Sequence, residues 1–204
     1  MKAIFYDWGG LNVWLFHVIN NLRGDVLDGF MQVGTALGDH ERFPLYIALL
    51  TIAGWWRLSR STSPPSLPVS QQTETWVLAF ATFSLAYFLD GLLVTWLKHT
   101  LDFPRPPLAL PPDSLHILGK PELHHSLPSG HATFAMTVAA SLWPLARRDG
   151  RIALIAFALW VDLSRVSLGM HFPADVLAGN LLGLAVVSGV RALLLSISVC
   201  RPGT

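Results

Sequence analysis

Five stretches of the chain are apolar almost without interruption, and the polar residues between them fall in short clusters. Residues 76–97 form the clearest stretch, broken only by Asp90. They come close to the roughly 20 residues that a membrane-crossing helix requires. Residues 43–56 are shorter, although 26–37 ahead of them are also largely apolar. Residues 132–146 and 152–163 are short as well, and read as helices that begin at the membrane interface or in a protein-lined cleft. The last stretch, 174–199, is long and rich in Gly and Ala (AGNLLGLAVVSG), a composition that favours close helix packing in lipid. Near the N-terminus, LNVWLFHVINNL has apolar positions at helical spacing together with three Asn, the pattern of an interfacial amphipathic helix. A sixth, N-terminal span is the alternative.

The expected fold is therefore all-α: a polytopic membrane helix bundle with five to six transmembrane helices, an N-terminal amphipathic segment over residues 1–25 and a membrane domain over 26–199. Residues 61–72, rich in Ser, Pro and Gln, and the proline-rich 102–127 read as loops. No internal repeat is visible. Composition agrees with this picture, since 52% of the 204 residues are hydrophobic and 13% are charged. A soluble domain carries about 25% charged residues. A net charge of +1 leaves no footprint for nucleic acid. The single Cys200 cannot form an internal disulfide. The start MKAIFYDWGGLNVWLF lacks the basic residues, apolar run and small-residue site of a cleavable signal peptide.

Three polar clusters carry candidate chemistry. The first is Lys98 followed by Arg105-Pro106, the second Pro128-Ser129-Gly130-His131, and the third Ser164-Arg165 with His171 and Asp175. A Lys offers a flexible point charge and an Arg a planar fork, a pair suited to a tetrahedral phosphate. Alone, the pair fits interfacial cations equally well. Ser129 is a good N-cap. It also opens a helix whose free N–H groups suit an anion, with Gly130 permitting close backbone approach and His131 on the first turn. Pro173 suits the first turn of the last helix, placing His171 just before it and Asp175 just inside. That spacing lets the carboxylate reach one imidazole nitrogen and leave the other free to attack; an interfacial His capping a helix is the plainer reading. Asp162, one turn before Arg165, is placed to orient it.

Counting crossings brings the three clusters to one membrane face, which the motifs themselves do not require. The opposite face carries Arg57, Arg60, Arg147, Arg148, Arg151 and Arg201, against Lys2, Arg23, Arg42 and Lys120 on the motif face. The positive-inside rule then puts the motifs on the periplasmic or outer side of a bacterial inner (cytoplasmic) membrane.

With their spacings, the three clusters resemble the signature motifs of the type-2 phosphatidic acid phosphatase superfamily, and the resemblance in layout covers about residues 26–198. It implies an all-helical fold and metal-independent hydrolysis of a lipid phosphate, with no cofactor. By the same resemblance His171 is the nucleophile that forms a phosphohistidine, oriented by Asp175, and His131 is the general acid. Lys98, Arg105, Ser129, Gly130 and Arg165 bind the phosphoryl oxygens. No carboxylate cluster for Mg²⁺ is visible beside them. The substrates implied are undecaprenyl pyrophosphate first, then phosphatidylglycerophosphate or phosphatidic acid, with membrane lipids as surroundings. A lipid A phosphatase or a lipid phosphotransferase using the same site is the next alternative. A haloperoxidase shares the anion cradle but not lipid-length helices, and a non-catalytic lipid-binding protein would need no nucleophile.

Of the remaining polar residues, Asp90 should face the bundle interior and pair with a cation or hydroxyl, because a lipid-exposed carboxylate is costly. His124 and His125 read as loop residues near the mouth, and Asp102 and Glu122 as solvated loop charges. Trp55, Trp56, Trp76 and Trp96 read as an interfacial belt.

Overall fold

The computed structural model of the protein describes residues 6–59 and 70–199. Every regular element among them is helical, with no strand. Seven helices carry the architecture: α1 (Leu11–Asn20), α2 (Asp25–Leu37), α3 (Phe43–Ser59), α4 (Ser70–Leu101), α5 (Gly130–Leu142), α6 (Arg148–Ser167) and α7 (Pro173–Val199). Each apolar stretch of the sequence lies in one of them, except that 132–146 runs past the end of α5 into a 3₁₀ turn at Trp143–Leu145. Among the described residues, two segments suffice by length and composition to cross a membrane, Thr73–Ala109 and Pro173–Ile197, with mean hydropathies of 1.9 and 1.8. Leu92 and Leu181 on these segments are exposed, as lipid-facing residues are.

One loop is shorter than expected. Ser70, Gln71 and Gln72 belong to α4, because neither Pro nor Gly intervenes before residue 76 and Gln and Glu are good helix formers. The rest of the Ser/Pro/Gln-rich loop lies outside the described residues, as do Lys2, Arg60, Cys200 and Arg201. Residues 102–127 are irregular apart from one turn of helix at Pro106–Ala109 and a 3₁₀ turn at Pro112–Ser114.

α5 is the central helix. Eight of its thirteen residues are buried, on every side of it, because α4, α6 and α7 all pack around it. It lies against α7 almost backbone to backbone. A Cβ on Gly179 would stand 2.5 Å from the Ser129 carbonyl oxygen, and one on Gly183 2.6 Å from that of Thr133. The small residues of the last stretch therefore do what the sequence predicts and let two helices approach closely. On its other side α5 meets α4 through a hydrogen bond from the Thr137 hydroxyl to the Asp90 carboxylate. Asp90 is 3% exposed, so it faces the interior and pairs with a hydroxyl, as expected.

α1 reverses the usual pattern of a surface helix. Leu11, Trp14 and Val18 face outward, whereas Asn12, Phe16 and Asn20 form its buried side. Phe16 joins the core cluster of Leu115, Val166, Phe172 and Val176 beneath the loop that joins α6 to α7.

Candidate active site

The three polar clusters meet at one end of the bundle. Lys98 comes from the last turn of α4, Arg105 from the following loop, His131 from the first turn of α5, and Arg165 from the last turn of α6. His171 lies in the α6–α7 connection and Asp175 in the first turn of α7. The backbone ties these starts together, since the Ser129 N–H donates to the Asp175 carbonyl at 3.0 Å.

His171 is 1% exposed, and its two ring nitrogens have different neighbours. Nδ1 lies 3.3 Å from Asp175 Oδ2 and 3.4 Å from Ser126 Oγ. Nε2 lies 3.3 Å from Arg105 Nη1. A guanidinium can only donate, so Nε2 is the acceptor and the proton sits on Nδ1, toward the carboxylate. Burial holds the imidazole well below its usual pKa, and Arg105, Arg165 and Lys98 push in the same direction. The ring is neutral, with a lone pair on Nε2 facing the cations.

Asp175 is fully enclosed. Its Oδ2 accepts from Ser126 Oγ at 2.5 Å and from the Phe172 N–H at 2.8 Å. Its Oδ1 accepts from the Tyr6 hydroxyl at 2.7 Å. Arg105, 4% exposed, is fixed by the His124 carbonyl at 3.0 Å and the Met170 carbonyl at 3.3 Å. Its Nη2 meets Glu122 at 2.5 Å. Glu122 is a solvated loop charge as expected, 61% exposed, and it also pairs with Arg105 because the proline-rich loop folds back over that residue. Asp102, 51% exposed, is likewise solvated and lies 3.1 Å from His125 Nδ1.

The other half of the site is less tightly bonded. Ser129 occupies the N-cap position of α5 without capping it, and its buried hydroxyl makes no hydrogen bond among the described residues. A Cβ on Gly130 would meet only Val94, at 3.7 Å, so no protein group forces glycine there. His131 keeps 26% of its side chain exposed and lies 3.9 Å from Asp39 Oδ2. Lys98, Arg105, Arg165 and His171 all act on its ring electrostatically.

Arg165 corrects one expectation. Asp162 does not orient it; the Asp162 carboxylate takes the amide of Asn180 instead, at 2.6 Å. The partner of Arg165 is the Thr35 hydroxyl of α2, at 2.6 Å. The physical reason is close packing of α2 on α6, where a Cβ on Gly38 would fall 2.3 Å from Val161. Four further residues at the site, Tyr6, Thr35, Asp39 and Ser126, carried no signal in the sequence. Only Ser126, two residues ahead of Pro128, lies near a motif.

Residues 78–196, more than half of the chain, match the PAP2 superfamily, and the chain belongs to that family. It is an integral membrane protein. Among relatives, the lipid A 1-phosphatase of Rhizobium johnstonii is 34% identical over 117 residues, 53% of this chain and 44% of that one. An undecaprenyl-diphosphatase of Sulfolobus acidocaldarius is 44% identical over 59 residues, 29% of each chain. The chain spans less than half the length of both relatives. The crystal structure of Aquifex aeolicus LpxE matches with a TM-score of 0.69 at 29% identity, covering 88% of this chain and 94% of that one.

Proposed function

We propose that this chain is a membrane lipid phosphatase that works through a phosphohistidine on His171. The observation that carries the reading is the arrangement around His171: Nδ1 lies 3.3 Å from Asp175 Oδ2 and Nε2 3.3 Å from the Arg105 guanidinium, which can only donate, so the proton belongs on Nδ1 and Nε2 is left without one. A neutral imidazole attacks phosphorus only from a nitrogen that carries no proton. As the Nε2–P bond forms, the bond from phosphorus to the lipid oxygen breaks, and His131 gives that oxygen its proton. Water then attacks phosphorus, His131 takes a proton from it, and the P–N bond breaks to release inorganic phosphate and neutral His171. Lys98, Arg105, Arg165, the Ser129 hydroxyl and the Gly130 amide hold the phosphoryl oxygens. Fixed cations of this kind supply most of the catalysis in phosphoryl transfer.

The membrane reading has five crossings, α3 to α7, with the site on the periplasmic or outer face. α1 and α2 stay on that same face. Support comes from α2, whose flanking residues both meet the end of α6: Arg23 donates to the Ser167 carbonyl at 3.2 Å, and Gly38 packs on Val161. On this reading the chain divides into an interfacial segment over 1–25 and a membrane phosphatase domain over 26–199.

Undecaprenyl pyrophosphate is the first substrate proposed, supported by the diphosphatase relative. A lipid A 1-phosphatase is the second reading, favoured by the Rhizobium relative. The test is phosphate release by purified protein in detergent from undecaprenyl pyrophosphate, lipid A, phosphatidylglycerophosphate and phosphatidic acid, with His171→Ala alongside. Release by the wild type alone, undiminished by EDTA, is expected. Activity retained in His171→Ala, or lost to EDTA and restored by Mg²⁺, would overturn the phosphohistidine reading.

A further inference from the structure

Asp175 is a buried carboxylate, and among the described residues no cation is bonded directly to it. Its ionisation depends on neutral donors, and these divide unevenly between its oxygens. Oδ2 takes Ser126, the Phe172 N–H and His171. Oδ1 takes the Tyr6 hydroxyl, from a residue 169 positions away that precedes the region matching the family. Tyr6 is locked in place by Phe103, with ring centroids 4.5 Å apart, and by the edge of Phe172 at 6.0 Å. Burial and the neighbouring carboxylate raise the Tyr6 hydroxyl far above its usual pKa, so it remains a donor at any working pH.

The rest of the N-terminal segment braces the loop that carries His171. Asn12 Oδ1 accepts from the Ala174 N–H at 2.9 Å, satisfying a free amide in the first turn of α7. Asn20 Nδ2 donates to the Ser167 and His116 carbonyls, both at 2.8 Å, while its Oδ1 accepts from the His116 N–H at 2.8 Å. These two residues are 1% and 0% exposed. Spaced eight apart with Phe16 midway between them, they give α1 its buried polar face, and the bonds they make all reach the two ends of the α6–α7 connection or the loop segment beside it.

We propose that residues 6–20 are a working part of the active site: Tyr6 is a positioning residue that keeps Asp175 ionised and aligned on His171, and Asn12 and Asn20 set the loop between them. The proposal rests on His171 being the nucleophile. Hydrogen bonds to a carboxylate favour its charged form. The other ionisable groups acting on Asp175 are His171 in its own loop, Arg105 from the loop after α4 and Lys98 from α4. None of these occupies Oδ1.

Tyr6→Phe in the full-length protein removes one hydrogen bond and keeps the ring. The acid limb of its kcat/KM profile should move up by about one pH unit, with kcat lowered and KM for the lipid phosphate little changed. Asn12→Ala should lower kcat and thermal stability and leave the limb in place, because it loosens the loop without touching the carboxylate. An unmoved limb in Tyr6→Phe, whatever its melting temperature, would overturn the role given to Tyr6. Wild-type kcat in Asn12→Ala would overturn that of the loop brace. Failure of the underlying reading is separately visible, as activity that survives His171→Ala.

Discussion

The two histidines of this site stand in opposite surroundings. His171 is enclosed, and the side chains in contact with it are bonded in turn: Asp175 to Tyr6, Ser126 and a backbone amide, and Arg105 to two carbonyls and Glu122. His131 keeps a quarter of its side chain in the open, with a carboxylate at 3.9 Å. Near it the hydroxyl of Ser129 and the Nε of Arg165 are buried without a partner among the described residues. The two roles proposed above would account for the contrast. A nucleophile must hold one tautomer and one orientation through every turnover, so it benefits from a saturated cage. An acid that serves a departing lipid and then an entering water must face a changing partner. The unpaired Ser129 hydroxyl suits the phosphate-binding role proposed for it, since a group bonded to the protein would first have to release that bond to hold phosphate.

Substrate choice separates the two residues. His171→Ala should remove turnover of every phosphate ester, by at least about 10³-fold, because no other group replaces the nucleophile. His131→Ala should cost about 10²–10⁴-fold on a lipid alkyl phosphate, the usual worth of a general acid. It should cost far less on an aryl phosphate whose leaving oxygen needs no proton. Measuring both variants on both esters checks this. Equal losses for His131→Ala on the two would show that it binds phosphate and does not protonate the leaving group.

The enclosure of His171 also has a signature in stability. Its folded-state pKa lies well below the ordinary value of 6.5, so the unfolded chain takes up a proton that the folded protein refuses. Stability is then full above about pH 6.5 and falls as pH drops below it, by up to about 1.4 kcal/mol per unit from this residue. Thermal melts of the wild type and His171→Gln between pH 5 and 7 should diverge in slope, with the wild type the steeper. Parallel slopes would mean that the imidazole is not desolvated.

Much of this was legible in the sequence, and what was missed has one cause. The helices follow from the apolar runs, and the motif residues meet because Lys98, His131, Arg165 and Asp175 each sit at a helix end on the same end of the bundle. The Nδ1 contact of His171 with Asp175 follows from their spacing of four across the start of α7. Tyr6, Thr35 and Asp39 were invisible because each reaches the site from far along the chain, through contacts that leave no local pattern. Thr35 also displaced a local expectation. Asp162 stands one turn from Arg165, but the packing of α2 through Gly38 gives that arginine another partner, and Asn180 takes the carboxylate. α1 is helical, as its spacing predicts. Its buried side nevertheless holds two Asn, because the surface it covers is a loop full of backbone groups that need partners.

The smallest expected effect bears most directly on the contrast between the two histidines. Asp39 caps the 3₁₀ turn at His40–Arg42 with Oδ1, accepting from the Glu41 N–H at 2.9 Å, which leaves Oδ2 toward His131. If His131 is the acid, it must carry a proton among Lys98, Arg105 and Arg165, and Asp39 is the carboxylate placed to favour that form. At 3.9 Å and 41% exposed, its effect is screened and modest. Asp39→Asn preserves the cap and removes the charge. Its alkaline limb in kcat/KM should move to lower pH by less than about one unit, a few-fold loss at neutral pH, on alkyl phosphates and not on aryl ones. An alkaline limb that stays in place would leave His131 without a charged partner and make the Asp39 cap purely structural. A limb that moves on both esters alike would tie it to phosphate binding, and the acid would have to be sought elsewhere.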